Sequence, residues 1–454
     1  MNIVFVWIWW SWISSLAYIT KELWYSNIIW IDKSESEITG NLKKQWIEII
    51  FWHWNYTLQK DDFVIYSDAT TNTVEVKTAK KDNIKNLSYF EFLGILSRNF
   101  KTISVAWTHG KSSTTSMLIE VFSKINKNFA IGIVWALMPK FDNKNYFLNK
   151  SLKGKVHNIF SDIFEWKRTK NTRRYYFILE ADEFNKHFLH LQSYYSIITN
   201  IELDHSDVYI DFYTYLQAFK DFIKLTDKKV FMLNNDKNIR LLRFKKIKAI
   251  WLKNIGFKHI FWEHNQKNWA LVYGISKYIN KNIKYKEILN IIENFKWIWR
   301  RMEFLGKNKK WAQIYTDYWH HPGELCAVYH AFRNQYPHKK LICIFQPHQA
   351  RRVLEFWDDF KKTLKKFDKV YIYDIYAARE SLEQLKIQFQ NKDFKNINSI
   401  EELGNIFANQ SWWEYFKGFE QVKEICVNGN KNDIIINFSA GDLDFNLRNS
   451  ENIF

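Results

Sequence analysis

The sequence predicts an α/β protein of about three domains. Near the N terminus, an apolar strand leads through a turn into a helix, and a second apolar strand, residues 27–31, precedes Asp32. Further along, a strand over residues 102–106 runs into the loop Gly110-Lys111-Ser112, with a helix-compatible stretch behind it. A length of 454 residues allows about three domains at roughly 150 residues each. Strand–turn–helix units of this kind are typical of α/β folds.

Composition narrows the class of protein further. With 47% hydrophobic and 25% charged residues, the chain is neither disordered nor fibrous. The net charge of +18 comes mostly from Lys spread along the chain with Asn and Ile, as an A+T-rich gene would produce. We therefore expect no nucleic-acid partner, since such a footprint clusters on one face; a basic phosphate-loop protein acting on nucleic acid is the alternative. Three scattered cysteines form no disulfide framework, and a reducing cytoplasm is expected.

The glycine and tryptophan counts are both abnormal. The chain has 13 Gly and 22 Trp, whereas roughly 7% Gly, about 32 residues, is usual for this length. The two counts together come close to that usual share. We therefore hypothesise that many Trp occupy positions that need Gly.

The first nineteen residues test this hypothesis. Read literally, they resemble a membrane anchor or a signal segment, because they are uncharged and apolar. With Gly in place of the four Trp, they become a strand followed by a G-x-G-G-x-G turn that opens a helix. Such a turn lets backbone N–H groups approach a pyrophosphate, and no insertion into a membrane is then expected. The residues assigned to this substrate-binding segment are Trp7, Trp9, Trp10, Ser11, Trp12 and Asp32.

The second motif, residues 105–115, predicts a phosphate-binding loop. Backbone amides of such a loop cradle phosphates, Lys111 reaches the β and γ oxygens, and the Ser112 hydroxyl can coordinate Mg²⁺. The first Gly that this loop normally has falls on Trp107. The loop residues assigned to ATP are Trp107, Thr108, His109, Gly110, Lys111, Ser112 and Ser113.

The loop A-W-T-H-G-K-S-S-T-T resembles the signature of the Mur ligases, the ATP-dependent amide-forming enzymes of peptidoglycan precursor synthesis. The resemblance spans nearly the whole chain. Further segments match in order: 180–183, 188–191, 199–205, 262–268, 299–303, 317–322, 345–348 and 440–442. At Trp7, Trp9, Trp10, Trp12, Trp107, Trp262, Trp299 and Trp319 the family pattern has Gly. One codon, UGA, translated as Trp although the native host reads it as Gly, would explain all of these positions.

The resemblance implies a three-domain architecture. Residues 1–98 would form an N-terminal Rossmann-like domain that binds a UDP sugar. Residues 99–297 would form the central P-loop ATPase domain, and residues 298–454 a C-terminal Rossmann-like domain that binds the amino acid and closes the site. No linker rich in Pro or Gly marks these boundaries.

The resemblance also implies the roles of particular residues. Lys111 would clamp phosphate, and Ser112, Glu180 and His205 would hold Mg²⁺, so that Lys111, Glu180 and His205 are the candidate catalytic residues. His264, Asn265 and Asn268 would surround the adenine, Arg300 or Arg301 would reach the ATP phosphates, and Asp317 would contact the ribose. The remaining candidates for substrate binding and the closed site are His320, His321, His348 and Arg352.

Within the family, the strings F-L-H-L and F-Q-P-H favour the members that join L-alanine to UDP-N-acetylmuramate, with ATP and Mg²⁺. The alternatives are a ligase that recycles a murein peptide onto the same nucleotide sugar, which typically shows an L-E-P-R-type run, and a catalytically impaired homologue whose Trp residues are genuine. Departures from the family pattern include Gln349 and Ala350 after F-Q-P-H, Gly323 after His-His-Pro, and a shortened region between Asp236 and His264.

Overall fold

A computed structural model gives the fold. The structure describes residues 1–7, 12–106, 110–167, 173–202, 208–234, 238–251, 263–296, 298–377, 380–389, 397–410, 413–450 and 453–454. Contacts divide the chain into two compact units, one of Met1–Ile260 with Asn265–Lys296, and one of Phe261–His264 with Trp297–Phe454. Three sheets confirm the predicted α/β class. The three domain boundaries stay a prediction.

The first sheet lies in the first unit and is parallel throughout, with the order β3-β2-β1-β4-β5. Its central strands are fully buried runs of β-branched and aromatic residues, as expected for a sheet covered on both faces. Its strands are β1 (Ile3–Val6), β2 (Ile28–Asp32), β3 (Glu48–Phe51), β4 (Phe63–Tyr66) and β5 (Lys85–Ser88). Its helices are α1 (Trp12–Glu22), α2 (Glu37–Lys44), α3 (Val74–Lys81) and α4 (Tyr89–Asn99).

The second sheet, in the same unit, has the order β12-β11-β10-β6-β9-β7-β8, and only its edge pair β7–β8 is antiparallel. Its strands are β6 (Lys101–Ala106), β7 (Phe129–Met138), β8 (Lys144–Leu148), β9 (Tyr176–Ala181), β10 (Tyr195–Ile198), β11 (Lys229–Leu233) and β12 (Ile247–Ile250). Its helices are α5 (Lys111–Ile125), α6 (Lys153–Phe164), α7 (Phe212–Lys224), α8 (Ile239–Leu242), α9 (Glu263–Ile279) and α10 (Tyr285–Glu293). Strand β6 lies between β9 and β10, so the carboxyl ends of these three strands meet at one edge.

The third sheet forms the second unit, with the order β13-β14-β18-β15-β16-β17 and one antiparallel pair, β13–β14. Its strands are β13 (Glu303–Lys307), β14 (Gln313–Asp317), β15 (Lys340–Gln346), β16 (Lys369–Tyr373), β17 (Glu414–Phe416) and β18 (Asp433–Ser439). Its helices are α11 (Pro322–Gln335), α12 (Ala350–Glu355), α13 (Trp357–Leu364), α14 (Leu382–Gln388), α15 (Ile400–Asn409), α16 (Phe419–Asn428) and α17 (Leu443–Arg448).

The apolar N-terminal segment folds as a strand and a helix of the first sheet. Strand β1 is buried at the centre of that sheet, and α1 begins at Trp12. Among the described residues, no helix is both long enough and apolar enough to span a bilayer. The strand–turn–helix interpretation therefore describes this segment, and the turn itself, residues 8–11, lies outside the described residues.

Candidate active site

The strand and the helix that flank the phosphate loop lie in the order that the sequence predicts. Strand β6 ends at Ala106, and Gly110 precedes α5 with φ 79° and ψ 20°. This left-handed conformation is the one that Gly adopts without strain. The amide of Thr114 donates to the Gly110 carbonyl at 2.9 Å and so begins the helix. Trp107, Thr108 and His109 lie outside the described residues.

Lys111 is the first residue of α5, and its ammonium is already paired. Its Nζ lies 2.6 Å and 2.7 Å from the two carboxylate oxygens of Glu183, whose side chain is fully buried. Burial of the ammonium lowers the pKa of Lys111, but the neighbouring carboxylates, Glu183 first, outweigh it and raise that pKa. The same ammonium lies 5.6 Å from the centre of the Trp135 ring. Lys111 is therefore a charged lysine in an ion pair with Glu183, and a bound phosphate would compete with Glu183 for its ammonium.

Glu180 and Ser112 supply hard oxygen atoms beside this lysine. Glu180 lies on β9, whose register places it opposite Val105 of β6. One carboxylate oxygen accepts a hydrogen bond from the Ser112 hydroxyl at 3.1 Å, and the other accepts from the Trp135 amide at 2.6 Å. A serine hydroxyl and a carboxylate are ligands that Mg²⁺ prefers, so this pair fits the cation. Within the described part of the chain, no group of three or more His, Cys, Asp and Glu could hold a metal; His205 lies outside that part.

The end of β10 completes this edge of the sheet. Ile198 pairs with Ala106 of β6, and the next residues are Thr199 and Asn200. The Thr199 hydroxyl and the Asn200 side-chain oxygen are buried with no hydrogen-bond partner among the described residues. Unsatisfied buried oxygens are costly unless a ligand or water contacts them. A ligand or a water molecule at this edge of the sheet would satisfy them.

The adenine element lies on α9. Asn265 and Asn268 are both buried, and the Asn268 side-chain amide nitrogen has no hydrogen-bond partner among the described residues. The side chain of His264 and all of Trp262 lie outside what the structure describes. Asn265 and Asn268 therefore lie in the first turns of one helix, while the adenine contacts stay a prediction.

The two adjacent arginines have different surroundings in the second unit. The Arg300 side chain is buried and donates to the Ser439 carbonyl at 2.5 Å and the Gly441 carbonyl at 3.1 Å. The ring of Tyr318 lies under both guanidinium groups, at 5.0 Å from Arg300 and 5.4 Å from Arg301. Arg300 therefore holds the end of β18 in place, and of the two, Arg301 is left as the candidate for the ATP phosphates.

Asp317, expected to contact the ribose, and Asp32, expected to belong to the substrate-binding segment, are both buried, and both carboxylates accept hydrogen bonds. Asp317, fully buried, accepts from the amides of Met302 at 2.7 Å and Trp319 at 3.1 Å, and burial raises its pKa to about 7. Asp32 accepts from the Trp30 indole at 3.2 Å and the Lys33 amide at 2.8 Å, and burial raises its pKa. As placed here, both carboxylates shape the loops that follow their strands.

The remaining substrate candidates gather at the carboxyl edge of the third sheet. The rings of His320 and His348 lie 5.6 Å apart, and His348 stacks on Tyr376 at 5.7 Å. Burial first, then the charges of Arg352 and Arg300, lower the pKa of His348 to about 4, so it is neutral at pH 7. His321 instead caps the N terminus of α11, where its ring nitrogen accepts from the Gly323 amide at 3.3 Å.

In the first sheet, the structure describes only part of the predicted turn. Trp7 is buried, and its amide donates to the Ile31 carbonyl at 2.9 Å. Trp9, Trp10 and Ser11 lie outside the described residues, as does the side chain of Trp12. Sequence reasoning missed Glu183 as the partner of Lys111, although Glu183 belongs to the quoted 180–183 segment.

In the second sheet, which is parallel except at one edge, a central strand leads to a phosphate loop that carries a lysine. The neighbouring strand carries a carboxylate beside this loop. This arrangement defines a P-loop nucleotide-binding protein. The family models agree with this class and sharpen it. Residues 105–304 match the Mur ligase middle domain, and residues 300–411 match the Mur ligase glutamate ligase domain. The chain belongs to the Mur ligase family.

Relatives cover the chain almost completely. The UDP-N-acetylmuramate–L-alanine ligase of Clostridium botulinum (strain Hall) is 30% identical over 94% of this chain and 93% of its own length. The enzyme of the same name from Clostridium acetobutylicum is 28% identical over 91% of this chain and 89% of its own length.

Two solved structures share the fold. The UDP-N-acetylmuramate-alanine ligase of Thermotoga maritima superposes with a TM-score of 0.69 at 18% identity, covering 99% of this chain and 97% of that one. A murein peptide ligase from Psychrobacter arcticus gives a TM-score of 0.64 at 16% identity, covering 99% of each.

Proposed function

We propose that this protein is an ATP-dependent ligase that joins L-alanine to the carboxylate of UDP-N-acetylmuramate, in peptidoglycan precursor synthesis. The observation that carries the proposal is the cluster at the phosphate loop, where Lys111 faces Glu183 and the Ser112 hydroxyl faces Glu180. The likeness to relatives named for this reaction supplies the substrates. The cytoplasm, expected from the cysteine content, is the proposed compartment.

The chemistry needs a carboxylate oxygen to become a good leaving group. The sugar carboxylate attacks the γ-phosphorus of ATP, which gives an acyl phosphate and ADP. The amine of L-alanine then attacks the acyl carbon, loses a proton, and the tetrahedral intermediate expels phosphate. Charge on the transferring phosphoryl group is the main thing to stabilise.

The residues of this chain fit that task. Lys111 would exchange its contact with Glu183 for the β and γ oxygens of ATP, as the lysine of a phosphate loop does. Mg²⁺, when bound, neutralises phosphate charge. Ser112 and Glu180 would hold it, together with His205 if the family role applies.

The test is phosphate release by the purified protein with ATP, Mg²⁺ and UDP-N-acetylmuramate. We expect release that depends on both the nucleotide sugar and L-alanine. Glycine, L-serine and a murein tripeptide replace L-alanine in parallel reactions. Release that requires the tripeptide and ignores L-alanine would assign the recycling ligase instead, and no release with any amine would overturn the proposal.

We further propose that the native chain carries Gly at the Trp positions where the family pattern has Gly and at those whose backbone has positive φ. Gly at these positions would make the chain an active ligase, whereas genuine Trp would make it an impaired homologue. The structure contributes an argument that does not depend on the motifs. Among the residues that the structure describes, six Trp have φ between 59° and 90° and are at least half exposed: Trp24, Trp46, Trp52, Trp54, Trp166 and Trp311. Positive φ is strained for a bulky residue and ordinary for Gly.

Three of these Trp follow helices in the position where Gly is preferred. Trp46 comes after α2, and the next amide, Ile47, reaches back to the Leu42 carbonyl at 3.3 Å. Trp166 comes after α6 with the same pattern, since Lys167 donates to the Asp162 carbonyl at 2.8 Å. This is the hydrogen bond of a Schellman motif, whose left-handed residue is usually Gly. Trp24, after α1, has a related arrangement.

The gene and the native protein decide this point. We expect UGA codons at Trp46 and Trp166, and Gly in native peptides that span them. The intact native mass should fall well below 55.2 kDa. UGG codons at these two positions and at Trp107 would overturn the recoding proposal.

A further inference from the structure

A buried histidine lies between two carboxylates beside the phosphate loop. His187 Nδ1 is 3.0 Å from an oxygen of Asp182, and its Nε2 is 2.6 Å from an oxygen of Asp68. The ring stacks on Phe90 with 3.9 Å between centroids and 14° between planes. His187 and Asp182 are both almost fully buried. Burial lowers the pKa of His187, but the two carboxylates outweigh it and raise that pKa to about 9.

The two carboxylates come from different sheets of the same compact unit. Asp68 begins a short 3₁₀ turn, Asp68–Thr70, which follows β4 of the first sheet. Asp182 follows β9 of the second sheet directly. His187 lies in the 3₁₀ segment Phe184–His190. The imidazole therefore links the carboxyl end of β4 to the carboxyl end of β9.

In the sequence, Asp182 lies between Glu180 and Glu183, the two acidic residues of the candidate active site. Glu180, two residues earlier, accepts from Ser112, and Glu183, the next residue, pairs with Lys111. Any shift of the backbone at Asp182 would therefore move both of these carboxylates. Movements of about 1 Å in catalytic groups can cost on the order of a hundredfold in rate.

The turn after Asp182 has a backbone that needs support. Asn185 and Lys186 have φ of 47° and 60°, a left-handed pair without Gly. Asp182 holds the two ends of this turn, since its side chain accepts from the Phe184 amide at 3.2 Å and its carbonyl from the Phe188 amide at 2.7 Å. The His187 contact fixes the Asp182 side chain in the orientation that makes the first of these bonds.

We propose that His187 is a positioning residue, which, paired with Asp182 and Asp68, sets Glu180 and Glu183 beside the phosphate loop. The proposal rests on the proposed function. It makes His187 responsible for the arrangement of groups that contact phosphate and Mg²⁺, without contact to either. A buried ion pair can also be merely structural and contribute little to function, so the test must separate the two roles.

The test compares His187→Gln with a matched control, His157→Gln. His157 is half-buried and, like His187, joins elements of the two sheets, because its Nδ1 is 2.7 Å from the Leu23 carbonyl and its ring stacks on Tyr25 at 5.0 Å. It lies on α6, and its described contacts, with Leu23, Trp24 and Tyr25, include no residue of the candidate active site. A third variant, Asp68→Asn, keeps the size of the side chain opposite His187 but removes its charge.

We expect His187→Gln to lower kcat at least tenfold while the KM for L-alanine stays within twofold of its starting value. His157→Gln should keep kcat, and Asp68→Asn should lie between the two. The thermal midpoint should fall further in His187→Gln, which leaves two carboxylates without their cation, so kcat is measured well below both midpoints. Unchanged kcat in His187→Gln, or an equal loss of kcat in both histidine variants, would overturn the positioning role.

A binding measurement keeps this test separate from the proposed function. Calorimetry gives the ratio of ADP dissociation constants without and with Mg²⁺, which does not require the ligase reaction. We expect that ratio to fall at least threefold in His187→Gln and to stay unchanged in His157→Gln. An unchanged ratio in both would count against the positioning of Glu180. If the starting protein binds ADP more tightly with Mg²⁺ but shows no ligation, the proposed function fails. The His187 proposal is then decided by the ratio of dissociation constants alone.

Discussion

The ammonium of Lys111 lies 2.6 Å and 2.7 Å from the two carboxylate oxygens of Glu183, 72 residues away in the chain. The contact places the loop cation at the edge of the sheet that the carboxyl ends of β6 and β9 share. It also keeps the cation charged, since the neighbouring carboxylates raise the pKa of Lys111. The pair is therefore a charged resting arrangement from which a phosphate can draw the lysine.

Lys111→Ala should abolish turnover, because the transferring phosphoryl group would lose the cation of the phosphate loop and the buried Glu183 carboxylate would lose its ion pair with Lys111. Phosphate release measured with saturating substrates checks this. The matched control is Lys124→Ala on the same helix, where the ammonium pairs with Glu120 at 3.1 Å and is largely exposed. We expect Lys124→Ala to keep its rate, and retained activity in Lys111→Ala would remove Lys111 from its assigned role.

Ser112→Ala should raise the Mg²⁺ concentration needed for half-maximal activity several-fold and lower kcat, because one of the two proposed oxygen ligands, Ser112 and Glu180, is lost. A Mg²⁺ titration of phosphate release measures both effects. Ser123→Ala on the same helix serves as the control, since its hydroxyl donates only to the Glu120 carbonyl at 2.8 Å. Equal Mg²⁺ titrations in the two variants would contradict the assignment of Ser112.

Replacing Arg300 should lower the stability of the protein, whereas replacing its neighbour Arg301 should weaken the binding of ATP. Arg300→Ala removes the donor to the Ser439 and Gly441 carbonyls and an ion pair with Asp444 at 3.4 Å, so we expect about 3 kcal/mol of lost stability. Arg301→Ala should instead raise the KM for ATP with little change in the thermal midpoint. Thermal melts and ATP titrations on both variants check this, and a larger loss of stability in Arg301→Ala would reverse the assignment.

These two arginines also mark the limit of what the sequence could predict. The strand before the phosphate loop and the helix after it follow from local pattern, and the structure has both, although the helix begins at Lys111, inside the segment predicted as loop. Which of two consecutive arginines turns inward depends on the backbone at Arg300, where φ is 55°, and on carbonyls more than a hundred residues away. Local periodicity carries neither piece of information.

Partners set by strand register were equally out of reach. Glu180 could be assigned through the family string, but its contact with Ser112 follows from the pairing of β6 with β9. The burial of Asp317, which ties the end of β14 to Met302, depends on the loop before β13. The two acids that sequence reasoning assigned to nucleotides, Asp32 and Asp317, are both hydrogen-bonded to their own surroundings, because a carboxylate at a strand end can cap a loop as readily as contact a ribose.

The His187 cluster should make stability fall with rising pH. The pKa of His187 is raised from 6.5 to about 9 in the folded state, so its contribution is fully present below about pH 6.5 and is lost as the pH rises through about 9. The groups that face the ring are Asp182, Asp68, Phe90 and Phe184. The contribution is at most about 3 kcal/mol.

Thermal midpoints between pH 6 and 9.5 measure this effect. We expect the midpoint of the starting protein to fall over this window more steeply than that of His187→Gln, which lacks the titrating ring. The control His157→Gln should keep the steep fall. Parallel curves for the starting protein and His187→Gln would contradict a charged His187 in the folded state.

Trp46→Gly should stabilise the chain, whereas most large-to-small substitutions do the opposite. Trp46 has φ 59° and is 87% exposed, so the indole contributes little burial while its Cβ strains the left-handed backbone. Gly relieves that strain and should gain on the order of 1 kcal/mol.

Trp46→Ala keeps the Cβ and should gain much less, which isolates the backbone from the loss of the ring. Gln45→Gly provides the opposite control, because Gln45 has φ −95° and Gly there only adds freedom to the unfolded chain. Thermal midpoints of the three variants decide the matter: we expect Trp46→Gly above the starting protein and Gln45→Gly below it. A midpoint for Trp46→Gly no higher than for Trp46→Ala would mean that this turn does not require Gly, and would remove the structural support for reading the exposed Trp positions as Gly.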